Sequence, residues 1–393
     1  MQMISAGSKS YWSWACFLTA AIGKTVSKQA VFSRMNAAWV KTVKALLQEV
    51  VGQQAKTKIN HQLFEHFKNV WLQDSTTLRL PDILVDKFKG SVSNGKQHAI
   101  AKLNVIIHAV SGLCPVLEWS SFTVNEQSLS KSILQTAKAG DLVIRDLGYF
   151  ALPVFQQLAA SKIYFLSRCR YGVRLYHTPT GEEINLAQLL QGKTWLDQEV
   201  ICGKENAVKV RLVAMKLSDT QTNERIRKAK HDRDKRLNHN QDYYTLLGFV
   251  IFITNVETEK WNSKQVADAY RIRWNIETLF KSWKSGFQLE RLIPEARTNT
   301  CRVESILYLL LIYIAWFQLL IYAPLRWCAQ KQTRKYLSII KVAKLIKSKQ
   351  INWMNTELSK ALKNEIIYQC CYDKRHDRVN EEMFLHHFLK PLT

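Results

Sequence analysis

The sequence predicts an α/β protein: a mixed sheet with helices on its faces, a β-rich insertion, and helical regions at both ends. Three observations carry this. From Val70 to Leu78 the chain is β-branched and aromatic with period two. Leu142 to Leu166 reads as strand, turn, helix and strand. Helical patterning then returns over Ser263 to Gly286 and dominates the last hundred residues.

The elements follow in order. Residues 1–65 look helical. Tyr11 to Gly23 is an apolar stretch holding Trp12, Trp14, Ser13 and Thr19, and it runs straight into Lys24 and Lys28. It resembles the apolar part of a signal peptide but reads better as a buried helix. The chain breaks at Gly23 and restarts with Ser27 as an N-cap. Two short helices and a longer one, Ala37 to Gln54, suit either a helix-turn-helix-like DNA contact or a packing bundle. Asp74 falls within the strand that begins at Val70, and a second strand covers Ala99 to Val110. A helical connection, Leu129 to Lys138, leads to the buried strand Leu142 to Asp146, a Gly148 turn, a helix from Tyr149 to Ala160, and the strand Ile163 to Leu166.

Between about Cys169 and Asn255 come strand-like runs at Val173–His177, Thr194–Ile201, Val208–Met215 and Leu246–Thr254. Glu224 to Arg236 is a basic run, either a solvated face or a phosphate contact. Ile306 to Ala323 carries no charge and reaches the lower length of a membrane span. Tyr308, Tyr313, Trp316, Gln318 and Tyr322 make it a core helix, with no membrane implied.

Bulk composition narrows the partners. The 393 residues include 56 Lys plus Arg against 32 Asp plus Glu, a formal charge of +24 that calls for a polyanion. An apolar fraction of 47% with 12 Trp excludes a disordered basic tail. The eight cysteines include no Cys-x-x-Cys pair, as expected of reduced thiols in a cytosol. Cys370 and Cys371 with His376, His386 and His387 are a weak zinc pattern, since adjacent cysteines rarely chelate one ion together.

The stretch Tyr270 to Lys284 is the most informative. On one continuous helix at about 100° per residue, with Tyr270 at zero, Arg273, Glu277, Lys281 and Lys284 fall at roughly 300°, 340°, 20° and 320°. They form a polar stripe opposite Ile272, Ile276, Leu279 and Trp283. Alone this is a solvated face with an ordinary Glu277–Lys281 pair. Asp74 and Asp146, placed on buried strands, change its meaning, because such carboxylates need a partner or a cation. Three acidic side chains suit Mg²⁺ or Mn²⁺, and a pair of such ions serves phosphodiester cleavage.

Tyr270, Arg273, Glu277 and Lys284 stand as Y-(2)-R-(3)-E-(6)-K. This resembles the Tyr-Arg-Glu-Lys motif of a large bacterial group of insertion-sequence transposases of the Asp-Asp-Glu type. Asp74-Ser75-Thr76 and Asp146-Leu147-Gly148-Tyr149-Phe150 resemble the family's two Asp motifs, over a likeness of roughly residues 65 to 320. The resemblance implies a ribonuclease-H-like core over 66–168 and 256–295, with a β-rich insertion at 169–255. Helical regions 1–65 and 296–393 would serve DNA-end binding and dimerisation. It makes Asp74, Asp146 and Glu277 catalytic ligands of two Mg²⁺ or Mn²⁺ ions. Tyr270, Arg273, Lys281, Lys284 and Arg168 become contacts to DNA phosphates. The implied partners are double-stranded DNA, both element ends and target, bound by a homodimer in the bacterial cytoplasm at the nucleoid.

Two departures stand out. Many relatives carry a base-stacking Trp in the last insertion strand, where this chain reads Gly248 to Asn255 without one and offers Phe249. The N-terminal portion is also short for the family, which fits a small end-binding domain or a truncated chain. The alternative reading is an inactive relic or a DNA-binding regulator.

Overall fold

The computed structural model describes residues 10–53, 62–109, 111–231, 240–293, 299–333, 335–349, 351 and 358–372. Val110, Gln54, the zinc-pattern histidines and residues 232–236 of the basic run lie outside the described residues.

The first helices among the described residues are α1 (Tyr11–Ile22), α2 (Lys28–Arg34) and α3 (Ala37–Gln53). Gly23 takes φ 67°, the left-handed conformation that ends α1 and that a side chain would resist. Ser27 caps α2 by accepting from the Ala30 amide at 3.1 Å, as the sequence predicts. The expectation that Tyr11–Gly23 is buried is corrected. Only Trp14 and Ala15 are buried, while Trp12 is 68% exposed.

Next come β1 (Val70–Arg79), β2 (Lys89–Ser93), β3 (Lys96–His108) and β4 (Val116–Ser121). Then follow β5 (Leu142–Arg145), α4 (Leu152–Ala160), β6 (Tyr164–Arg168) and β7 (Leu175–His177). The insertion continues with α5 (Leu186–Leu190), β8 (Trp195–Cys202), β9 (Val208–Lys216), α6 (Asp219–Lys230), α7 (Gln241–Leu247) and β10 (Phe249–Thr254). Further described helices are α8 (Ser263–Arg271), α9 (Trp274–Lys281), α10 (Thr300–Trp316), α11 (Ala323–Thr333), α12 (Ile339–Ser348) and α13 (Lys360–Gln369). The connection expected as a helix over Leu129 to Lys138 is a 3₁₀ turn, Ser130–Ser132, and a single α turn, Ile133–Thr136.

The chain divides into two compact units. One comprises residues 1–62, 74–125 and 274–393. Its strands run in the order β2-β3-β1, with β4 antiparallel on β3 from Ala101↔Ser121 to Ile106↔Val116. Asn94 and Gly95, at φ 51° and 73°, close the β2–β3 hairpin with the paired positive φ that strand twist favours. Helix α3 packs along α10, and its buried Val43, Leu47, Val50 and Val51 lie on one face at helical spacing. The run Thr300–Thr333 is apolar and long enough to cross a membrane, yet 78% of its apolar 18-residue stretch is buried inside the protein, as the core-helix reading expects.

The other unit comprises residues 63–73 and 126–273. Its strand order is β1-β5-β6-β10-β9-β8-β7: β1, β5 and β6 are parallel and the rest antiparallel, which makes the sheet mixed. Its core joins Leu142, Val143 and Ile144 of β5, Phe165 of β6, and Val154, Phe155 and Leu158 of α4, all buried. Trp261 sits among Phe64 and Phe67 and donates its indole N–H to the Leu63 carbonyl at 2.8 Å. A second anchor is Arg211, which bridges Asp197 at 2.6 and 2.5 Å and donates to the Trp261 carbonyl at 2.6 Å. Ser263 donates to Asp197 at 2.5 Å, so β8 and β9 are tied to the start of α8.

Candidate active site

Parallel pairing of β1 and β5 runs from Val70↔Leu142 to Gln73↔Arg145. The last matched residues are thus the ones that precede Asp74 and Asp146. Arg145 is fully buried: it donates to Gln73 Oε1 at 2.7 Å, to Ser130 Oγ at 2.6 Å and to the Ser130 carbonyl at 2.5 Å. Gln73 in turn donates to the Leu129 carbonyl at 3.1 Å and to Ser132 Oγ at 2.9 Å. Burial draws the Arg145 pKa down to about 9. The hydrogen-bonded guanidinium nevertheless keeps its proton at neutral pH. One buried cation therefore locks the strand end that leads into Asp146.

Asp146 lies one residue past β5 rather than as its last residue, and the following helix starts at Leu152 rather than Tyr149. The residue begins a 3₁₀ turn, Leu147–Tyr149, without using its side chain as a cap. The carboxylate instead accepts from the Tyr270 hydroxyl at 3.0 Å and stands 3.7 Å from Arg273 Nη1. Tyr270 packs its ring on Phe252 of β10 at 5.0 Å. Burial, and then the Asp146 charge, push the Tyr270 phenol pKa well up, so it stays a donor; Arg273 and Arg168 pull weakly the other way. Asp146 keeps 37% of its side chain exposed and remains reachable. The structure thus brings Asp146, Tyr270 and Arg273 together, with the charge of Arg168 felt at Tyr270.

The continuous stripe expected for Tyr270 to Lys284 is corrected. Helix α8 ends at Arg271, α9 begins at Trp274, and a π turn follows at Ser282–Gly286. Counting at about 100° per residue fails across both interruptions. Arg273 sits at the break, 8% exposed, and faces Asp146 rather than solvent.

In the other unit, Asp74 is half-buried on β1 and accepts from the Ser75 amide at 2.8 Å. Glu277 occupies the first turn of α9, half-buried, with Ile276, Leu279 and Phe280 holding the buried side. Lys281 is exposed, its ammonium 5.9 Å from the Trp274 ring centre, and Lys284 lies half-buried in the π turn. Among the described residues no group of three His, Cys, Asp or Glu is gathered as a metal cage. The donor chemistry of Asp74, Asp146 and Glu277 is all carboxylate oxygen, which fits Mg²⁺ or Mn²⁺ and not a thiolate-seeking ion. Cys370 and Cys371 are buried, and burial pushes the Cys370 thiol up to about 11, away from the thiolate that zinc requires. Phe249 is also buried, so its ring is not presented for base stacking.

Several residues went unread in the sequence. Asp141 is a buried carboxylate that accepts from Asn69, from the Trp71 indole and from the Lys138 amide at 2.8 to 2.9 Å, a structural anchor five residues before Asp146. Arg145 and Gln73 had a faint signal, polar residues closing otherwise apolar strands. The Asp197–Arg211 pair had none, since its partners are distant in sequence.

Residues 65–310, more than half of the chain, match the model of the family described as Transposase DDE domain. The chain belongs to this family. Among curated relatives, it is 29% identical over 297 residues to the transposase for insertion sequence element IS231F of Bacillus thuringiensis subsp. israelensis. That match covers 70% of this chain and 62% of the relative. The transposase for IS1151 of Clostridium perfringens is 27% identical over 291 residues, 68% of this chain and 61% of that protein. The chain therefore spans about 62% of the length of the curated relatives it matches. Among solved structures, a piggyBac transposase synaptic complex with hairpin DNA superposes with a TM-score of 0.40 and 10% identity, over 81% of this chain and 61% of that one.

Proposed function

We propose that this chain is an insertion-sequence transposase of the Tyr-Arg-Glu-Lys group. It binds the ends of its element, cleaves DNA by metal-dependent phosphodiester hydrolysis, and transfers the freed 3′-hydroxyl ends into target DNA. The observation that carries the reading is the Asp146–Tyr270–Arg273 constellation within a chain of the DDE family. A carboxylate, a protonated phenol and a guanidinium meet there at residues that two of the three motifs single out.

Asp74, Asp146 and Glu277 are assigned as the ligands of Mg²⁺ or Mn²⁺, two ions, on the strength of those motifs. When bound, the ions supply an activated oxygen nucleophile and stabilise the leaving oxygen. The chain's own residues do the rest. Tyr270 fixes the rotamer of Asp146 through its hydroxyl. Arg273 presents a planar guanidinium beside the carboxylate, the shape that recognises phosphate oxygens in pairs. Lys281, Lys284 and Arg168 supply further positive charge for the DNA backbone. Residues 66–168 and 256–295 act as a ribonuclease-H-like core around the insertion 169–255, with 1–65 on the element end and 296–393 at a dimer contact. The protein works in the cytoplasm on double-stranded DNA, without a membrane.

Transposition in cells tests this. The chain is supplied in trans to a plasmid whose marker is bounded by the DNA flanking its own gene. Marker movement is expected with wild type and is lost in Asp74→Asn, Asp146→Asn and Glu277→Gln. Movement at wild-type frequency with Asp146→Asn would overturn the assignment.

A further inference from the structure

Helix α6 belongs to the insertion and starts at a capping box, Ser218 with Gln221, so its register is fixed. Arg225, one turn further on, is half-buried and reaches back to β10, donating from Nη1 to the Phe249 carbonyl at 3.0 Å. Three residues along the same strand, Phe252 pairs with Arg168 of β6. Matched residues of an antiparallel pair share a face. Arg168 therefore projects on the face where Phe252 meets the Tyr270 ring, and Tyr270 holds Asp146. Strand rise puts the two anchor points on β10 about 10 Å apart.

Two guanidinium groups so placed repel each other. Burial first, and then the charge of Arg168, lower the Arg225 pKa. Asp146 is matched to Arg273, and among the described residues no carboxylate pairs with Arg168 or Arg225. Two like charges held next to a reactive carboxylate, with no counter-ion among the described residues, suit an anion from outside. Capping the Phe249 carbonyl explains one of the five N–H donors of Arg225 and none of the closeness to Arg168.

We propose that Arg225 and Arg168 form a two-arginine clamp on neighbouring backbone phosphates of the DNA strand that enters the Asp146–Tyr270 site, so that the insertion itself grips the substrate. The clamp rests on the DNA reading given above. It chooses the phosphate contact over the solvated face for the start of the basic run Glu224 to Arg236, and names Arg225 as the contact and Arg168 as its partner.

The test measures binding of a labelled duplex from the DNA flanking the gene, by the full chain without divalent metal, across a salt series. Wild type is compared with Arg225→Gln, Arg225→Lys and Arg168→Gln. Removing one phosphate contact lowers the slope of log affinity against log salt by about 0.9, and Arg225→Gln is expected to show that drop. Arg225→Lys keeps the charge and the slope. A scan replacing single phosphates by neutral methylphosphonates identifies the partner: one position weakens wild type but leaves Arg225→Gln unchanged. A slope equal to wild type in Arg225→Gln, with no such position, overturns the clamp while the DNA reading stands. Wild-type protein without affinity for any duplex overturns the DNA reading and the clamp with it. Should Arg225→Gln fail to fold, Arg168→Gln carries the same slope and scan criteria.

Discussion

Deleting the Asp197 carboxylate is expected to destabilise the protein by about 3–5 kcal/mol, the usual loss when one member of a buried ion pair is removed. The structure sets the scale. The Asp197 side chain is 10% exposed and that of Arg211 is 7%, so neither ion is rescued by water. Asp197 accepts Arg211 Nε at 2.6 Å, Arg211 Nη2 at 2.5 Å and Ser263 Oγ at 2.5 Å, and charged hydrogen bonds of this kind contribute about 1.5–3 kcal/mol each. Their sum overstates the loss, because the three share one carboxylate and the ions were dehydrated to form them. Asp197→Ala leaves Arg211 dry and without its counter-charge, held only by the carbonyls of Trp261 and Val256. Against a typical total of about 5–15 kcal/mol, that is a large share. Urea unfolding followed by far-ultraviolet circular dichroism measures it as a lowered midpoint. The double variant Asp197→Leu with Arg211→Met replaces both ions with apolar groups and is expected to recover most of the loss. A loss under about 1 kcal/mol in the single variant, or a double variant as unstable as the single, would refute the reasoning.

Other outcomes follow from the same structure. Tyr270→Phe removes the donor to Asp146 and should slow cleavage about tenfold, the lower end for a hydrogen bond to a charge; unchanged turnover would remove the hydroxyl from the site. The Tyr270 pKa is raised on folding, so the native state retains a proton that the unfolded chain releases above about pH 10. Its contribution is thus complete below that pH and lost as pH rises, and Tyr270→Phe should flatten this alkaline limb of stability. Gln318 is 1% exposed, and neither of its amide atoms has a hydrogen-bond partner among the described residues, beside a cavity of about 60 Å³. Gln318→Leu should therefore raise the unfolding free energy by about 1 kcal/mol, seen as a higher midpoint, whereas a lowered midpoint would mean that ordered water satisfies the amide. Asp82 is held at about 2 by its hydrogen bond to Lys96 and by the Ala99 amide, and its stabilising effect is present above pH 3.8 and fades as pH falls toward 2. Asp82→Asn should flatten the acid limb of stability measured over that window.

Much of the architecture was legible. Ser27 announced its helix because an N-cap hydroxyl is a local signal, and Leu142 to Ile144 announced a buried strand because nothing polar interrupts it. The hairpin of β2 and β3 had its signal too, in Asn94-Gly95, but the short strand before it is largely polar and exposed and breaks the hydrophobic alternation. The break between α8 and α9 had no signal, since Ile272, Arg273 and Trp274 include neither Gly nor Pro. At the break Arg273 turns toward the Asp146 carboxylate, a partner distant in sequence. For the same reason the motif residues were readable as a set while their contacts were not. Chain spacing names Tyr270 and Arg273, and only the fold shows that both face Asp146.

The most direct test of the central claim is nucleotide-resolution mapping of DNA cut by the purified chain. A labelled duplex from the gene's immediate flank is incubated with Mg²⁺ or Mn²⁺, with Asp146→Asn in parallel. Metal-dependent nicking at one defined position, ending in a 3′-hydroxyl and absent from the variant, is the expected result. Tight binding without any nick, or a nick that survives Asp146→Asn, would contradict it.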